Sequence, residues 1–157
     1  GKTPIPVIIL IAVLLLGWFI LNKTRFGRHV LAVGGNEQAA RVSGINTKLV
    51  KITVYIMSGI FSAIAGMIIS ARVNAGSPTL GTGYENDAIA AAVIGGTSMM
   101  GGQGSMIGTI GGILIIGVMN NGLDLLNVSS YYQQVAKGII IIAAVLFDML
   151  SKSRKSK

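Results

Sequence analysis

Chemistry in this chain has to come from very few side chains. Its 157 residues include one histidine, His29, and five carboxylates, Glu37, Glu85, Asp87, Asp124 and Asp148, with no cysteine at all. Disulfides, thiolate metal ligands and cysteine nucleophiles are thereby excluded. General acid–base work needs titratable groups that converge within hydrogen-bond reach. The sequence offers no such constellation: His29 stands in a basic stretch, and the aspartates are scattered through apolar ones. No catalytic and no metal-ligating residue is assigned. The remaining chemistry is neutral hydrogen bonding, from Asn120-Asn121 inside an apolar run and Thr97-Ser98 beside Gly95-Gly96.

One polar segment has a definite local form. From Asn36 to Gly44 the chain reads Asn-Glu-Gln-Ala-Ala-Arg-Val-Ser-Gly. Asn36 suits an N-cap, Glu37 opens the first turn where the helix dipole favours an anion, and Gly44 suits the stop. Glu37 and Arg41 form an i, i+4 pair in the favourable order. The prediction is a self-capped helix of about two turns, too short to persist alone, which must therefore dock on something.

The elements around these residues are apolar. Hydrophobic side chains make up 52% of the chain, charged ones 11%, and the mean hydropathy is +0.71. Globular domains carry about a quarter charged residues, so a membrane protein is the first reading. Runs from Ile5 to Leu21, Ile52 to Ala71, Met106 to Leu123 and Val135 to Leu150 approach the roughly 17–25 residues that cross a bilayer. A fifth, Ala88 to Met100, is shorter, and fits a span, a re-entrant helix or a buried segment. A signal peptide is rejected for the first run, because its basic flank follows it and no small-x-small cleavage site appears. Gly1-Lys2-Thr3 resembles the end of a phosphate-binding loop but lacks the earlier glycine and leads into Pro4 and Pro6. The absence of an initial methionine is read as the mark of a fragment.

Charge placement arbitrates. Residues 22–51 contain Lys23, Arg25, Arg28, Arg41, Lys48 and Lys51 against Glu37 alone, and the basic tail, residues 151–157, contains Lys152, Arg154, Lys155 and Lys157. Loops rich in Lys and Arg stay cytoplasmic. Both fall inside if the fifth run, extended to begin near Tyr84, also crosses. Five spans are therefore expected, all-α, with the outer side near neutrality. The net charge of +8 then reflects topology and docking and not nucleic acid, for which the 6% aromatic content also offers little stacking surface. On this topology Arg72 meets Glu85 or Asp87, Asp124 meets Lys137, and Asp148 has Lys152 at i+4. Tyr131 and Tyr132 belong to the outer interface and Trp18 to the inner end of the first span. Small residues spaced by four, Ser58, Ser62, Gly66 and Ser70, and again Gly104, Gly108 and Gly112, with Gly111 and Gly117 beside them, allow close helix approach.

Three blocks carry a resemblance. They are Gly34-Gly35-Asn36-Glu37-x-Ala39-Ala40-Arg41-x-Ser43-Gly44-Ile45, Gly81-Thr82-Gly83-Tyr84-Glu85-Asn86-Asp87-Ala88-Ile89-Ala90-Ala91-Ala92-Val93-Ile94-Gly95-Gly96-Thr97-Ser98, and Gly101-Gly102-Gln103-Gly104-Ser105. In order and spacing they resemble the permease subunits of ribose-type ABC sugar importers, and the similarity covers the whole chain, 1–157, as the carboxyl-terminal half of such a permease. The resemblance implies a multi-pass subunit of the bacterial plasma membrane that pairs with a second permease copy, contacts lipid, and receives sugar from an extracytoplasmic binding protein. It further implies that the chain holds no cofactor, since ATP and Mg would be bound by a separate ATP-binding subunit, and that it is no enzyme. The Asn36–Gly44 helix would be the coupling helix, seated in a cleft of the ATPase through Asn36, Glu37, Ala39, Ala40, Arg41 and Gly44.

Polar groups at membrane depth suggest the path. Asn120 and Asn121 lie about fifteen residues, roughly 22 Å, into a core of about 30 Å. With Thr97 and Ser98 they offer uncharged donors and acceptors, the complement of sugar hydroxyls; helix packing is their competing role. Nucleoside, branched-chain amino acid or other small-solute cargo is the nearest alternative, and a membrane-embedded enzyme a more distant one.

Overall fold

A computed structural model describes residues 5–155, apart from the side chains of residues 130, 147, 148 and 150–155. Gly1-Lys2-Thr3 and the expected Asp148–Lys152 pair lie outside the described residues. Within them the chain is all-helical: α1 (Ile5–Lys23), α2 (Arg25–Gly35), α3 (Glu37–Val42), α4 (Thr47–Val73), α5 (Tyr84–Ile94), α6 (Met106–Leu125) and α7 (Ser130–Lys155). Each of the five apolar runs read from the sequence becomes a helix. α1, α4 and α6 are long and apolar enough to cross a membrane, and α7 contains a shorter apolar stretch, Tyr131–Leu146. α5 begins at Tyr84 as expected but has 11 residues, about 16 Å of rise, because Gly96 at φ +84° ends it before Met100. The result is a helical membrane protein: none of α1 is buried, and Leu15, Ile60 and Val118 are more than half exposed, as lipid or another helix would require.

The chain forms two compact units, Gly1–Thr82 and Gly83–Lys157. In the first, α1 and α4 run antiparallel: Ile5, Pro6 and Ile9 line one groove with Met67, Ile68 and Arg72. The polar segment α2–α3 therefore lies at the other end. Thr24 makes the turn between α1 and α2, donating from Oγ1 to the Ile20 carbonyl at 2.6 Å and accepting from the Gly27 N–H at 3.1 Å. Gly27 has to be glycine, since a Cβ there would collide with the Ile20 and Leu21 carbonyls.

In the second unit, α5 and α6 cross in antiparallel register. A Cβ on Gly112 would collide with the Ala91 carbonyl oxygen, and one on Gly108 with that of Gly95. Ala90, Ala91 and Ile116 form the buried centre, with Ile94, Met119 and Ile141 against it. Of the expected glycine row, Gly108 and Gly112 mediate this crossing, Gly104 precedes the helix, and Gly111 and Gly117 meet open space. The α4 row Ser58, Ser62, Gly66 and Ser70 is exposed within its own unit.

Candidate functional site

The Asn36–Gly44 segment folds as its caps dictate. Asn36 Oδ1 accepts from the Ala39 N–H at 2.9 Å, while its own N–H donates to Ala32 O, so one residue closes α2 and opens α3. At the far end Gly44 takes φ +84° and the Ile45 N–H reaches back to Ala40 O at 3.1 Å, the pattern by which a left-handed residue satisfies the last carbonyls of a helix. Asn46 then caps α4 through Leu49 N–H. This short helix is braced by two turns and by one long-range ion pair.

That ion pair corrects the sequence expectation. Glu37 Oε2 accepts from Lys51 Nζ at 2.6 Å, and not from Arg41, because the tight loop brings the first turn of α4 beside the first turn of α3. The Lys51 ammonium, followed by smaller effects of Thr47 and Arg41, holds the Glu37 carboxyl below its ordinary 4.5. Ala40 is 5% exposed, so its small side chain serves contact within its own unit. Asn36, Glu37, Ala39, Arg41 and Gly44 are exposed. Val42, which sequence reasoning passed over, is 90% exposed at the tip; a lone valine in a polar segment was the available signal. α2 was also missed, although Thr24 as a cap and Phe26 and Val30 opposite Arg25, Arg28 and His29 announce an amphipathic helix.

The second cluster lies in the α5–α7 unit. Asp87 Oδ1 meets Lys137 Nζ at 2.7 Å with both side chains mostly buried, and Asp87 Oδ2 accepts from Asn120 Nδ2 at 3.0 Å. Asp87 thus joins three helices. The expected Asp124–Lys137 pair is not formed; Asp124 Oδ1 instead accepts from Gln133 Nε2 at 2.8 Å, and Lys137, one further turn along α7, reaches Asp87. Glu85 Oε2 accepts from the Gly83 N–H at 3.0 Å. Asn120 Oδ1 is a buried acceptor without a partner among the described residues.

The four residues proposed for a path do not converge. Asn120 is in the α5–α7 cluster and Asn121 is exposed. Thr97 and Ser98 sit before the opposite end of α6, about fifteen residues or 22 Å away. Ser98 is buried and closes the Gly95–Ser105 loop, its N–H donating to Gln103 O at 3.1 Å and its Oγ accepting from Met100 N–H at 3.2 Å. The 540 Å³ groove between α1 and α4 is lined by apolar side chains and Arg72 and offers no neutral hydrogen-bonding set. Among the described residues no group of three His, Asp or Glu side chains converges as a metal site would require.

Residues 2–145 match the family described as branched-chain amino acid transport system / permease component. The chain is 52% identical over 145 residues to the ribose import permease protein RbsC of Bacillus subtilis (strain 168), covering 92% of this chain and 45% of that protein. It is 48% identical to the xylose transport system permease protein XylH of Haemophilus influenzae (strain ATCC 51907 / DSM 11121 / KW20 / Rd), covering 96% of this chain and 40% of that one. The L-arabinose transport system permease protein AraH of Escherichia coli (strain K12) is 43% identical, with 97% and 46% covered. The chain therefore spans less than half the length of these relatives. No solved structure matches it.

Proposed function

This chain belongs to the family of the branched-chain amino acid transport system / permease component, and we propose that it is part of the membrane-spanning permease of an ATP-driven importer for ribose or a related monosaccharide. The observation that carries the reading is near-half or greater identity to ribose and xylose permeases along almost the whole chain.

In this reading residues 22–51 and the tail face the cytoplasm, and a separate ATP-binding subunit grips α3. Its two-ended capping and the Glu37–Lys51 pair make α3 a stiff lever, able to transmit closure of the ATPase to α4 as a tilt. Ala39, Arg41, Val42 and Gly44 present the exposed contact, Ala40 anchors the lever from beneath, and an extracytoplasmic binding protein and a second permease copy complete the importer.

The experiment is uptake into proteoliposomes holding the full-length permease, its ATP-binding partner and its binding protein. ATP-dependent, saturable accumulation of labelled ribose, with xylose and arabinose as competitors, is expected. Uptake of leucine or a nucleoside with none of the three sugars would overturn the sugar assignment.

A further inference from the structure

The basic stripe on α2 has no role in the importer chemistry above, and its position points to a partner. Arg25, Arg28 and His29 stand at i, i+3 and i+4, so they share one face, and all three are exposed, as is Lys23. No acidic residue occurs between Lys23 and Asn36, and none of these cations joins an ion pair among the described residues. The opposite face of α2 is directed into its own unit, with Gly27 buried and Phe26 and Val30 partly so. The charges therefore point outward.

Their depth is set by α1. This helix is apolar from Ile5 to Leu21 and long enough to cross a bilayer, and it ends at Lys23, whose ammonium lies 5.6 Å from the centre of the Trp18 ring. Tryptophan and a terminal lysine mark the membrane–water interface. Only Thr24 separates α1 from α2, and its two hydrogen bonds hold the first turn of α2 against the last carbonyls of α1. Arg25 and Arg28 are consequently kept at headgroup level.

We propose that the Lys23–Arg25–Arg28–His29 stripe binds the phosphates of anionic phospholipids beside the end of α1 and so pins the polar segment α2–α3 at a fixed height. The guanidinium groups supply paired N–H donors suited to phosphate oxygens, and clustered cations next to a span are drawn to an anionic leaflet. The binding is independent of the transported solute.

The test uses the full-length permease, purified in detergent with equal phosphatidylglycerol and phosphatidylcholine, and native mass spectrometry of the lipid it retains. Wild type should retain phosphatidylglycerol selectively, and the selectivity should collapse as salt rises. The R25Q/R28Q variant should lose selectivity roughly twenty-five-fold, at about fivefold per arginine. R25K/R28K should keep most of it, and R72Q, at the far end of α4, all of it. Salt-insensitive selectivity in wild type, or R25Q/R28Q selectivity equal to wild type, would overturn the proposal. So would unchanged lipid selectivity combined with lost affinity for the ATP-binding partner, which would assign the stripe to a protein surface.

Discussion

Removing either member of the Asp87–Lys137 pair leaves the other charge among α5, α6 and α7, where each side chain is less than one-fifth exposed. An uncompensated buried charge typically costs about 3–5 kcal/mol, whereas replacing both partners by apolar groups can be close to neutral. Asp87→Ala should therefore lower the unfolding temperature of the full-length permease sharply, while D87A/K137M recovers most of the loss; thermal unfolding in detergent distinguishes this from simple additivity of the two changes. Asn120 would lose its acceptor in both variants, which bounds the recovery. Glu37 is different, because its pair with Lys51 is half-exposed and screened by water. Its carboxyl is held below the ordinary value, so the attraction is present at neutral pH and vanishes as pH falls through that lowered value. Both partner choices were hidden from the sequence for one reason: Lys51 and Lys137 reach their carboxylates across turns whose geometry no spacing rule contains.

At the scale of elements, the α5–α6 crossing decides which glycines matter. Gly111 and Gly112 are neighbours in one helix, and alanine should raise helix propensity at either by about 1 kcal/mol. Only at Gly112 would the new methyl collide with the Ala91 carbonyl oxygen. Gly111→Ala should be neutral or stabilising and Gly112→Ala destabilising by about 1–3 kcal/mol, as read by thermal unfolding and by accumulation in the membrane. Small residues spaced by four identify helices that can approach closely, and that much was legible. Which members touch a neighbour was not, because Gly104 falls before the N-cap Ser105 and Gly111 and Gly117 point away from α5. The eleven residues of α5 are likewise an element-scale result, since Gly95-Gly96 close the helix where hydropathy alone would carry it to Met100.

At the scale of the molecule, exposed apolar side chains are partners yet to be met. Val42 is 90% exposed at the end of α3, and burying a valine contributes about 1.5–3 kcal/mol. On the importer reading, Val42→Asp should weaken docking of the ATP-binding subunit roughly ten- to hundredfold and depress ATP-driven uptake, with the permease still inserted in the membrane; unchanged affinity would show that α3 docks by other residues. On the same reading, the apolar surfaces of α1, α4 and α6 would face lipid or other helices of a permease whose relatives are more than twice as long as this chain.

The amino-acid sequence by itself determined the environment, the helical class, the five apolar runs, the capped helix at Asn36 to Gly44 and the kinship with sugar permeases. Those properties follow from local composition, periodicity and short motifs, which need no knowledge of distant neighbours. Tertiary structure alone decided that Ala40 is buried and Val42 exposed, that Asp87 gathers Lys137 and Asn120, and that Thr97 and Ser98 close a loop far from Asn120. Each of these depends on two backbones meeting at a particular angle and height, and such a meeting is set by turns at Thr24, Gly44 and Gly96 acting over a whole helix length.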